Sequence, residues 1–427
     1  MMIRLLLFKF FPKLISGYAD LIKKYPRYLA YGMLHFFFSG PGQSFFLSLY
    51  TVYFLAATGV DQIGYTSLYM VATLTSSFVL PFLGKLLDRI LLRRFSVILG
   101  IVFAGFCVFT SLVVHPAMLV FALVGLRLCG QGLMPLTGST AITRYFDAER
   151  GQALALVNFG ISFAEIAFPL LLVRLIEETS WQFSWLAVAA IIVVVFIPAV
   201  IRLVPKDSPF QRNQELIANP ESDRKPQSKS LSRGEVLRQP AFYLLVLVYL
   251  FVPFYFTGIV INLDLIGDIN GWEDKQLALA LSLAGGARLV MNLLGGPLVD
   301  RFTATRTFSF LLLPVLISMI GIIFRTEVVW LYVFFMGLGI SASLSSLTSS
   351  AMWAEIYGTG HFAAIRSIVT TCMQVSTAVA PLIVGWALVG QSSLYGLMGT
   401  AALIVLGLWL LGIWQVRKLG FSKSRME

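Results

Sequence analysis

Charged residues are scarce in this chain of 427 residues. Asp, Glu, Lys and Arg together make up 12% of it, against about 25% in an ordinary soluble domain. Hydrophobic residues reach 58%. A water-soluble fold of this length has too little interior to hide so much apolar side chain. The composition therefore predicts that lipid surrounds most of the protein.

Cysteine and histidine are also rare, with three residues of each type. Cys107, Cys129 and Cys372 all lie inside apolar runs and show no paired spacing. This placement argues against a disulfide framework and against a metal site. We expect neither a metal ion nor a cofactor.

The sequence signatures of soluble catalysis are absent as well. The chain has no glycine loop ending in Lys-Ser/Thr, no His-Glu-x-x-His and no Cys-x-x-Cys. Enzymatic activity and ATP-driven pumping are therefore not expected. The net charge of +11 does not indicate nucleic-acid binding. Its basic residues occur in short clusters between apolar runs, which is the pattern that sets membrane topology.

Long apolar runs dominate the rest of the sequence. A membrane-spanning helix needs about 20 largely apolar residues. Twelve segments qualify, and they are 28–56, 64–83, 95–113, 117–143, 152–173, 184–203, 241–263, 276–299, 307–324, 328–351, 362–388 and 394–416. Connections after even-numbered segments carry basic residues such as Lys85 and Arg144, whereas the opposite connections are mostly acidic, as at Asp264 and Asp268. Both termini are thus predicted to be cytoplasmic.

One connection divides the chain. Residues 204–240 are rich in Pro, Ser and charge, and cannot bury enough apolar surface to fold alone. We interpret them as a cytoplasmic linker between a six-helix bundle at 28–203 and a second at 241–416. Residues 1–27 are predicted to be a basic amphipathic segment on the cytoplasmic membrane face, or else a partly folded tail. Residues 417–427 form a cytoplasmic tail. The predicted fold class is all-α integral membrane.

A short string recurs after the second and the eighth segments. Its residues are Gly84, Asp88, Arg89 and Arg93 in the first copy and Gly296, Asp300, Arg301 and Arg306 in the second. The glycine permits close approach of two helices, and the aspartate can pair with basic residues of the loop as a gating latch. Topology rules explain the arginines but not the glycine and the aspartate. Two copies six helices apart indicate a duplicated architecture.

The two strings resemble the loop signature of the major facilitator superfamily. The string that starts at Arg127 resembles the superfamily's arginine motif, and residues 144–151 are similar to a junction in the monocarboxylate transporter and oxalate–formate antiporter branch. That branch usually has an arginine where this chain has Asn292, and Arg288 lies one turn deeper. The resemblance implies a secondary transporter that works by alternating access, with a midplane site between its halves. It also implies that Arg127 serves proton coupling or an internal charge pair.

Ionisable groups at membrane depth are costly, so each is a candidate functional residue. Arg288 lies about 18 Å from the end of its helix at 1.5 Å per residue, and either anchors a substrate anion or belongs to a structural ion pair. Glu165 lies at a similar depth. It either carries a coupling proton or pairs with Arg127 or Arg288. His35 lies among phenylalanines and is either a coupling group or a packed, hydrogen-bonded residue.

A helix break and several polar residues are expected around the site. The string 40–43, Gly-Pro-Gly-Gln, is expected to loosen the first helix in mid-span. The serine-rich run 341–350 is interpreted as a close-packing face, and Arg366 as part of the cytoplasmic gate. Polar side chains that either bind the solute or join helices to one another are Gln43, Tyr255, Asn262, Asn292 and Gln374.

Arg288, together with the resemblance to the monocarboxylate transporter and oxalate–formate antiporter branch, implies symport of a small organic anion, such as a monocarboxylate, with a proton. One alternative is export of an amphipathic drug-like or siderophore-like compound, which the aromatic first and seventh segments permit. An alternative of another class is a membrane receptor that does not transport. Basic loops and the lack of a recognisable targeting signal favour a bacterial inner membrane and leave a eukaryotic one open.

Overall fold

The computed structural model describes residues 18–146, 149–204, 233–324, 327–357, 362–390 and 394–423. Among them it contains helices and no β-strand. The first crossing, α1, covers residues 26–58 in several pieces. Eleven further helices are long and apolar enough to cross a membrane. They are α2 (Gln62–Gly84), α3 (Leu92–Thr110), α4 (Pro116–Tyr145), α5 (Arg150–Glu178), α6 (Trp181–Leu203), α7 (Pro240–Ile261), α8 (Asp274–Phe302), α9 (Ala304–Ile323), α10 (Val328–Tyr357), α11 (Phe362–Gly390) and α12 (Leu394–Lys423). The predicted all-α membrane fold is confirmed.

Helix α1 is interrupted where the sequence predicts it. Its pieces are Pro26–Phe38, a 3₁₀ turn at Gly40–Gly42, Ser44–Leu47, a 3₁₀ turn at Ser48–Tyr50 and Thr51–Thr58. Gln43 has extended backbone angles, with φ −87° and ψ 154°. The break releases some backbone groups, which inside a bilayer must find partners in neighbouring parts of the protein or in ordered water.

Helix α4 packs directly against this break. It contains a π-helical turn at Arg127–Leu133. A Cβ atom on Gly130 would lie 2.6 Å from the Cα of Gly42, and one on Gly42 would lie 2.1 Å from the carbonyl oxygen of Leu126. Backbone therefore meets backbone here, and only glycine permits so close an approach.

Replacing Gly130 with Ala is expected to destabilise the protein by about 2 kcal/mol or more, because the obstructing atoms belong to backbone and cannot rotate away. Gly105→Ala is the matched control. A Cβ atom at Gly105 in α3 meets nothing within 4 Å, so alanine should be neutral or slightly stabilising there. Thermal unfolding of the detergent-purified variants measures both effects. Equal unfolding temperatures for the two variants would contradict the close contact.

Helices α5 and α8 cross at a second close approach, which joins the first six crossings to the last six. The Ser282 hydroxyl donates to the carbonyl oxygen of Ile166 at 2.9 Å. A Cβ atom on Gly285 would lie 2.9 Å from the Cβ of Glu165. Ser282 and Gly285 are three residues apart, so they lie on the same face of α8.

The two groups of helices also meet at the end of the bundle opposite the linker, which we call the far side. The other end, where α6 ends and α7 begins, is the linker side. On the far side Lys275 Nζ lies 3.1 Å from Glu177 Oε2. The Gln62 amide donates to Asn262 Oδ1 at 2.7 Å. These contacts close the far side between the two groups.

Part of the N-terminal segment packs on the linker side. Tyr18 and Leu21 are buried together with Ile142, Phe146 and Val157, at the ends of α4 and α5. Residues 1–17, 205–232 and 424–427 lie outside the described residues, so the amphipathic segment, the linker and the tail stay predictions in those parts.

Candidate functional site

A cavity of about 440 Å³ lies between the two groups of helices. Its polar wall includes Gln43 of α1, Gln131 of α4, Arg288 of α8 and Ser345, Ser346 and Ser349 of α10. Trp353 and Arg366 line the part nearest the linker-side ends of α10 and α11. The cavity thus extends from mid-helix depth toward the linker side, while the far side is closed.

At the mid-helix end of the cavity, which we call its floor, Arg288 lines the wall and pairs with the buried Glu165. Arg288 Nη1 lies 2.9 Å from Glu165 Oε2, with side-chain exposures of 17% and 0% respectively. Both carboxylate oxygens of Glu165 lack a hydrogen-bond partner. The contact is therefore an ion pair whose N–H is not aligned as a hydrogen bond. The Arg288 guanidinium carbon also lies 5.3 Å from the centre of the Phe256 ring. Of the two arginines that the sequence offers to Glu165, the structure selects Arg288.

Arg127 serves the break in α1. Its Nη1 donates to the carbonyl oxygen of Gly42 at 3.1 Å and to Ser44 Oγ at 3.4 Å. Its guanidinium carbon lies 4.9 Å from the centre of the Tyr69 ring. In the described part of the chain no carboxylate lies within ion-pair distance of it. These contacts favour a structural role, in which Arg127 satisfies a carbonyl that the interrupted helix leaves free.

His35 is fully buried in a closed hydrogen-bond network. Its Nδ1–H donates to the carbonyl oxygen of Tyr31 at 2.8 Å, which leaves Nε2 to accept from the Ser96 hydroxyl at 2.8 Å. Ser96 Oγ in turn lies 2.7 Å from the Tyr31 hydroxyl. Both ring nitrogens are occupied within the first six helices. The network favours the packed interpretation of His35 over a coupling role.

Of the predicted solute-binding residues, Arg288 and Gln43 line the cavity. The side chains of three others have protein partners, and for Gln374 only a backbone contact is described. The Tyr255 hydroxyl donates to Met398 Sδ at 2.8 Å. The Asn262 amide donates to the carbonyl oxygens of Gly258 and Pro381 at the far side. Asn292 Oδ1 accepts from Ser343, and the carbonyl oxygen of Gln374 accepts from Thr377. For Tyr255, Asn262 and Asn292 these contacts favour joining of helices over solute binding.

The serine run of α10 is more than a packing face. Ser341 and Ser343 do contact neighbouring helices, as predicted, but Ser345, Ser346 and Ser349 line the cavity. Gln131 is a further cavity residue that sequence reasoning missed. Its position one turn after Arg127 was a usable signal, because both residues lie on the same face of α4.

The repeated loop strings fall partly outside what the structure describes. The side chains of Asp88, Arg89, Asp300 and Arg301, as well as Gly296, lie outside the described side chains, so the predicted latch stays a prediction. Gly84 lies near Leu136 of α4, and Arg93 and Arg306 lie near the starts of α3 and α9. Two described contacts hold these loops. Arg144 Nη1 donates to the carbonyl oxygen of Leu87 at 3.1 Å, and Glu355 accepts from the backbone N–H groups of Ala304 and Thr305.

A carboxyl group is buried at the far-side contact. Asp264 lies in the short helix Leu263–Asn270, next to Thr51 and Val52 of α1. One of its carboxylate oxygens is buried without a hydrogen-bond partner. Burial, together with the nearby carboxylates of Asp274 and Asp268, raises the pKa of Asp264 from 3.8 to about 7. The far-side contact therefore holds this carboxyl more easily in its neutral form.

The stability of the far-side contact should depend on pH. A carboxyl whose pKa rises on burial contributes stability that is complete below its ordinary pKa and is lost as pH rises through about 7. We expect the unfolding temperature in detergent to fall between pH 5 and pH 8. The fall should be about 2–4 °C for each 1 kcal/mol by which the free energy of unfolding decreases. Asp264→Asn should remove most of that fall, whereas Asp268→Asn, at an exposed position, removes only a minor cause of the raised pKa and should keep most of the fall. An unchanged fall in Asp264→Asn would contradict the assignment.

Comparison with solved structures identifies the fold. A bacterial homologue of the human lysosomal transporter Spinster, in an inward-facing and occupied conformation, superposes with a TM-score of 0.61 and 13% sequence identity, over 95% of this chain and 96% of that one. The same transporter in an inward-facing, unoccupied conformation gives a TM-score of 0.58 and 14% identity, over 92% and 94% of the two chains. At these identities the likeness concerns the fold alone. No protein with a curated description matches the sequence.

Comparison with protein families gives a direct match. The family model described as Major Facilitator Superfamily matches residues 32–273 and 245–421. Together these ranges cover most of the 427 residues. They include both groups of helices, the ion pair and the cavity. The chain therefore belongs to the major facilitator superfamily, whose members are membrane transporters and not enzymes.

Proposed function

We propose that this transporter carries a small organic anion together with a proton, and that the pair Arg288–Glu165 couples the two. The observation that supports the proposal is the position of the pair. One partner belongs to the first six crossings and the other to the last six, and Arg288 is partly exposed at the cavity floor. A guanidinium in this place is suited to bind a carboxylate through its planar fork.

The coupling step follows from charge balance. When the carboxylate of the anion binds Arg288, it takes the place of Glu165. A lone carboxylate at this depth is costly, so Glu165 takes up a proton from the hydrated cavity. The loaded site then holds the arginine cation, the bound anion and a neutral glutamic acid. This balance is the same as in the empty site with its ion pair, which gives one proton for each negative charge carried.

Alternating access requires the far-side contacts to open. In the conformation observed, the Lys275–Glu177 ion pair and the Gln62–Asn262 hydrogen bond close that side. They must break, and contacts on the linker side must form, before the solute is exposed to the far side. We propose that the loaded and the empty carrier both make this change, because neither state leaves an unpaired charge at the cavity floor.

The orientation is part of the proposal. Basic residues concentrate in the connections on the linker side, which supports a cytoplasmic location for that side and for both termini. On this basis the observed conformation is open to the cytoplasm. We further propose a bacterial inner membrane, with 28–203 and 241–416 as the two bundles and 204–240 as the linker.

A second candidate function is export of an amphipathic compound. The cavity wall also contains Phe45, Phe256, Trp353 and Met373, which offer apolar contact to a larger solute. In that case Arg288 and Glu165 would form a scaffold, and flux would not depend on a carboxylate.

The test is uptake by purified protein in proteoliposomes. A panel of labelled monocarboxylates, neutral solutes and cationic amphiphiles is supplied with and without an inward proton gradient. We expect the gradient to accelerate carboxylate uptake and a protonophore to remove the acceleration. Flux of cationic or neutral amphiphiles without carboxylate flux would favour the second candidate. Binding without flux would instead indicate a receptor.

A further inference from the structure

The serines of α10 divide into two faces. Ser341 Oγ accepts from the backbone N–H of Val315 at 3.2 Å, and Ser343 donates to Asn292 at 2.6 Å, so both serve helix packing. Ser345, Ser346 and Ser349 follow within two turns and line the cavity. Ser346 and Ser349 lie one and four residues after Ser345, which puts all three on one side of α10. Ser345 and Ser349 also interact with the hydroxyl of Tyr249, which itself lines the cavity, so this second face both packs against α7 and borders the cavity.

Helix α11 presents a matching face to the cavity. Thr370 and Thr377 both line it, and their spacing of seven residues puts them on one side of α11. Gln43 and Gln131 add two amides from the first six helices. Hydroxyls and amides both donate and accept hydrogen bonds without charge. The wall therefore offers neutral hydrogen-bonding groups from four helices in addition to the cation Arg288 and the apolar side chains.

The size of the cavity fits more than a carboxylate group. Its volume of about 440 Å³ falls within the range of about 300–1,000 Å³ that is typical of ligand sites. A short apolar acid would contact Arg288 and leave most of the serine face unused. A polar site of this kind favours ligands that carry matching hydroxyl groups and rejects those that lack them.

We infer that the transported anion is polyhydroxylated, as a sugar acid is, with its carboxylate on Arg288 and its hydroxyls on Ser345, Ser346 and Ser349. Thr370 contacts it from the opposite wall. The Phe256 ring, next to Arg288, packs against its C–H groups. This inference rests on the proposed function, because it assumes that Arg288 holds a carboxylate.

The test compares three six-carbon probes: gluconate, which has a carboxylate and hydroxyls; hexanoate, which has a carboxylate alone; and sorbitol, which has hydroxyls alone. Binding to the full-length protein is measured by thermal stabilisation in detergent. We expect gluconate to bind at least about tenfold more tightly than hexanoate, and sorbitol not to bind. Replacing all three cavity serines with Ala should remove this preference and leave hexanoate binding unchanged. If the triple variant folds poorly, Ser346→Ala, at an exposed position, is tested in its place and should reduce the preference for gluconate.

Thr348→Val is the matched control on the same helix, because Thr348 is fully buried, does not line the cavity and donates its hydroxyl to the carbonyl oxygen of Leu344. It should keep the full preference for gluconate. Hexanoate binding as tight as gluconate binding would overturn the inference and leave the anion carrier intact. Sorbitol binding as tight as gluconate binding, or no carboxylate binding at all, would overturn the proposed function and the inference with it.

Discussion

Replacing Arg288 with Gln is expected to lower carboxylate uptake in proteoliposomes by at least about thirtyfold, because a charged hydrogen-bonded contact of this kind contributes about 2–5 kcal/mol. Glutamine keeps polarity but has neither the charge nor the planar fork that receives a carboxylate. Arg174→Gln is the matched control, since Arg174 is 78% exposed and pairs with Glu178 on its own helix. It should leave uptake unchanged.

A second variant distinguishes an anion anchor from a scaffold. Arg288→Gln alone leaves Glu165 buried without a partner, and breaking a buried pair in this way costs about 3–5 kcal/mol of stability. Lower uptake could then reflect poor folding. Arg288→Gln combined with Glu165→Gln removes both charges and should restore the unfolding temperature but not uptake. Recovery of uptake in the double variant would show that Arg288 is a scaffold.

Depth along the helices was predictable from the sequence. Counting residues placed Arg288 and Glu165 at similar depth, and the structure brings them to 2.9 Å. The interruption of α1 was equally readable. The Gly-Pro-Gly string at 40–42 removes a backbone donor and permits turns that a regular helix forbids. Both features depend on local chain geometry, which the sequence determines directly.

Rotation about the helix axis was not predictable. In a bilayer the lipid and the protein core are both apolar, so hydrophobic patterning does not tell which face of a helix points inward. The sequence therefore leaves Tyr255 and Asn292 either to bind the solute or to join helices, and in the structure they contact Met398 and Ser343. For the same reason the sequence does not tell which serines of α10 also line the cavity. The sequence identifies Asp264 only as an acidic loop residue, because its environment depends on Thr51 and Val52, more than 200 residues away.

Replacing Glu165 with Gln should separate anion movement from proton movement. The neutral amide imitates the protonated carboxyl of the loaded carrier, so Arg288 stays free to bind the anion. The charge of Arg288 is then neutralised only while the anion is bound. Exchange of internal for external anion should therefore continue. Return of the empty carrier leaves Arg288 without a counter-charge, which is costly at this depth. Net uptake driven by a proton gradient should fall to background.

Two assays on the same proteoliposomes separate these outcomes: exchange is followed with labelled anion on one side, and net uptake with an imposed proton gradient. Glu178→Gln is the control, because Glu178 lies on the same helix but is 59% exposed. It should retain both activities. Gradient-driven accumulation in Glu165→Gln would mean that another group carries the proton. Loss of exchange as well would mean that Glu165 is needed to position Arg288. The coupling role thus depends on one result: exchange without accumulation, which a purely structural ion pair would not produce.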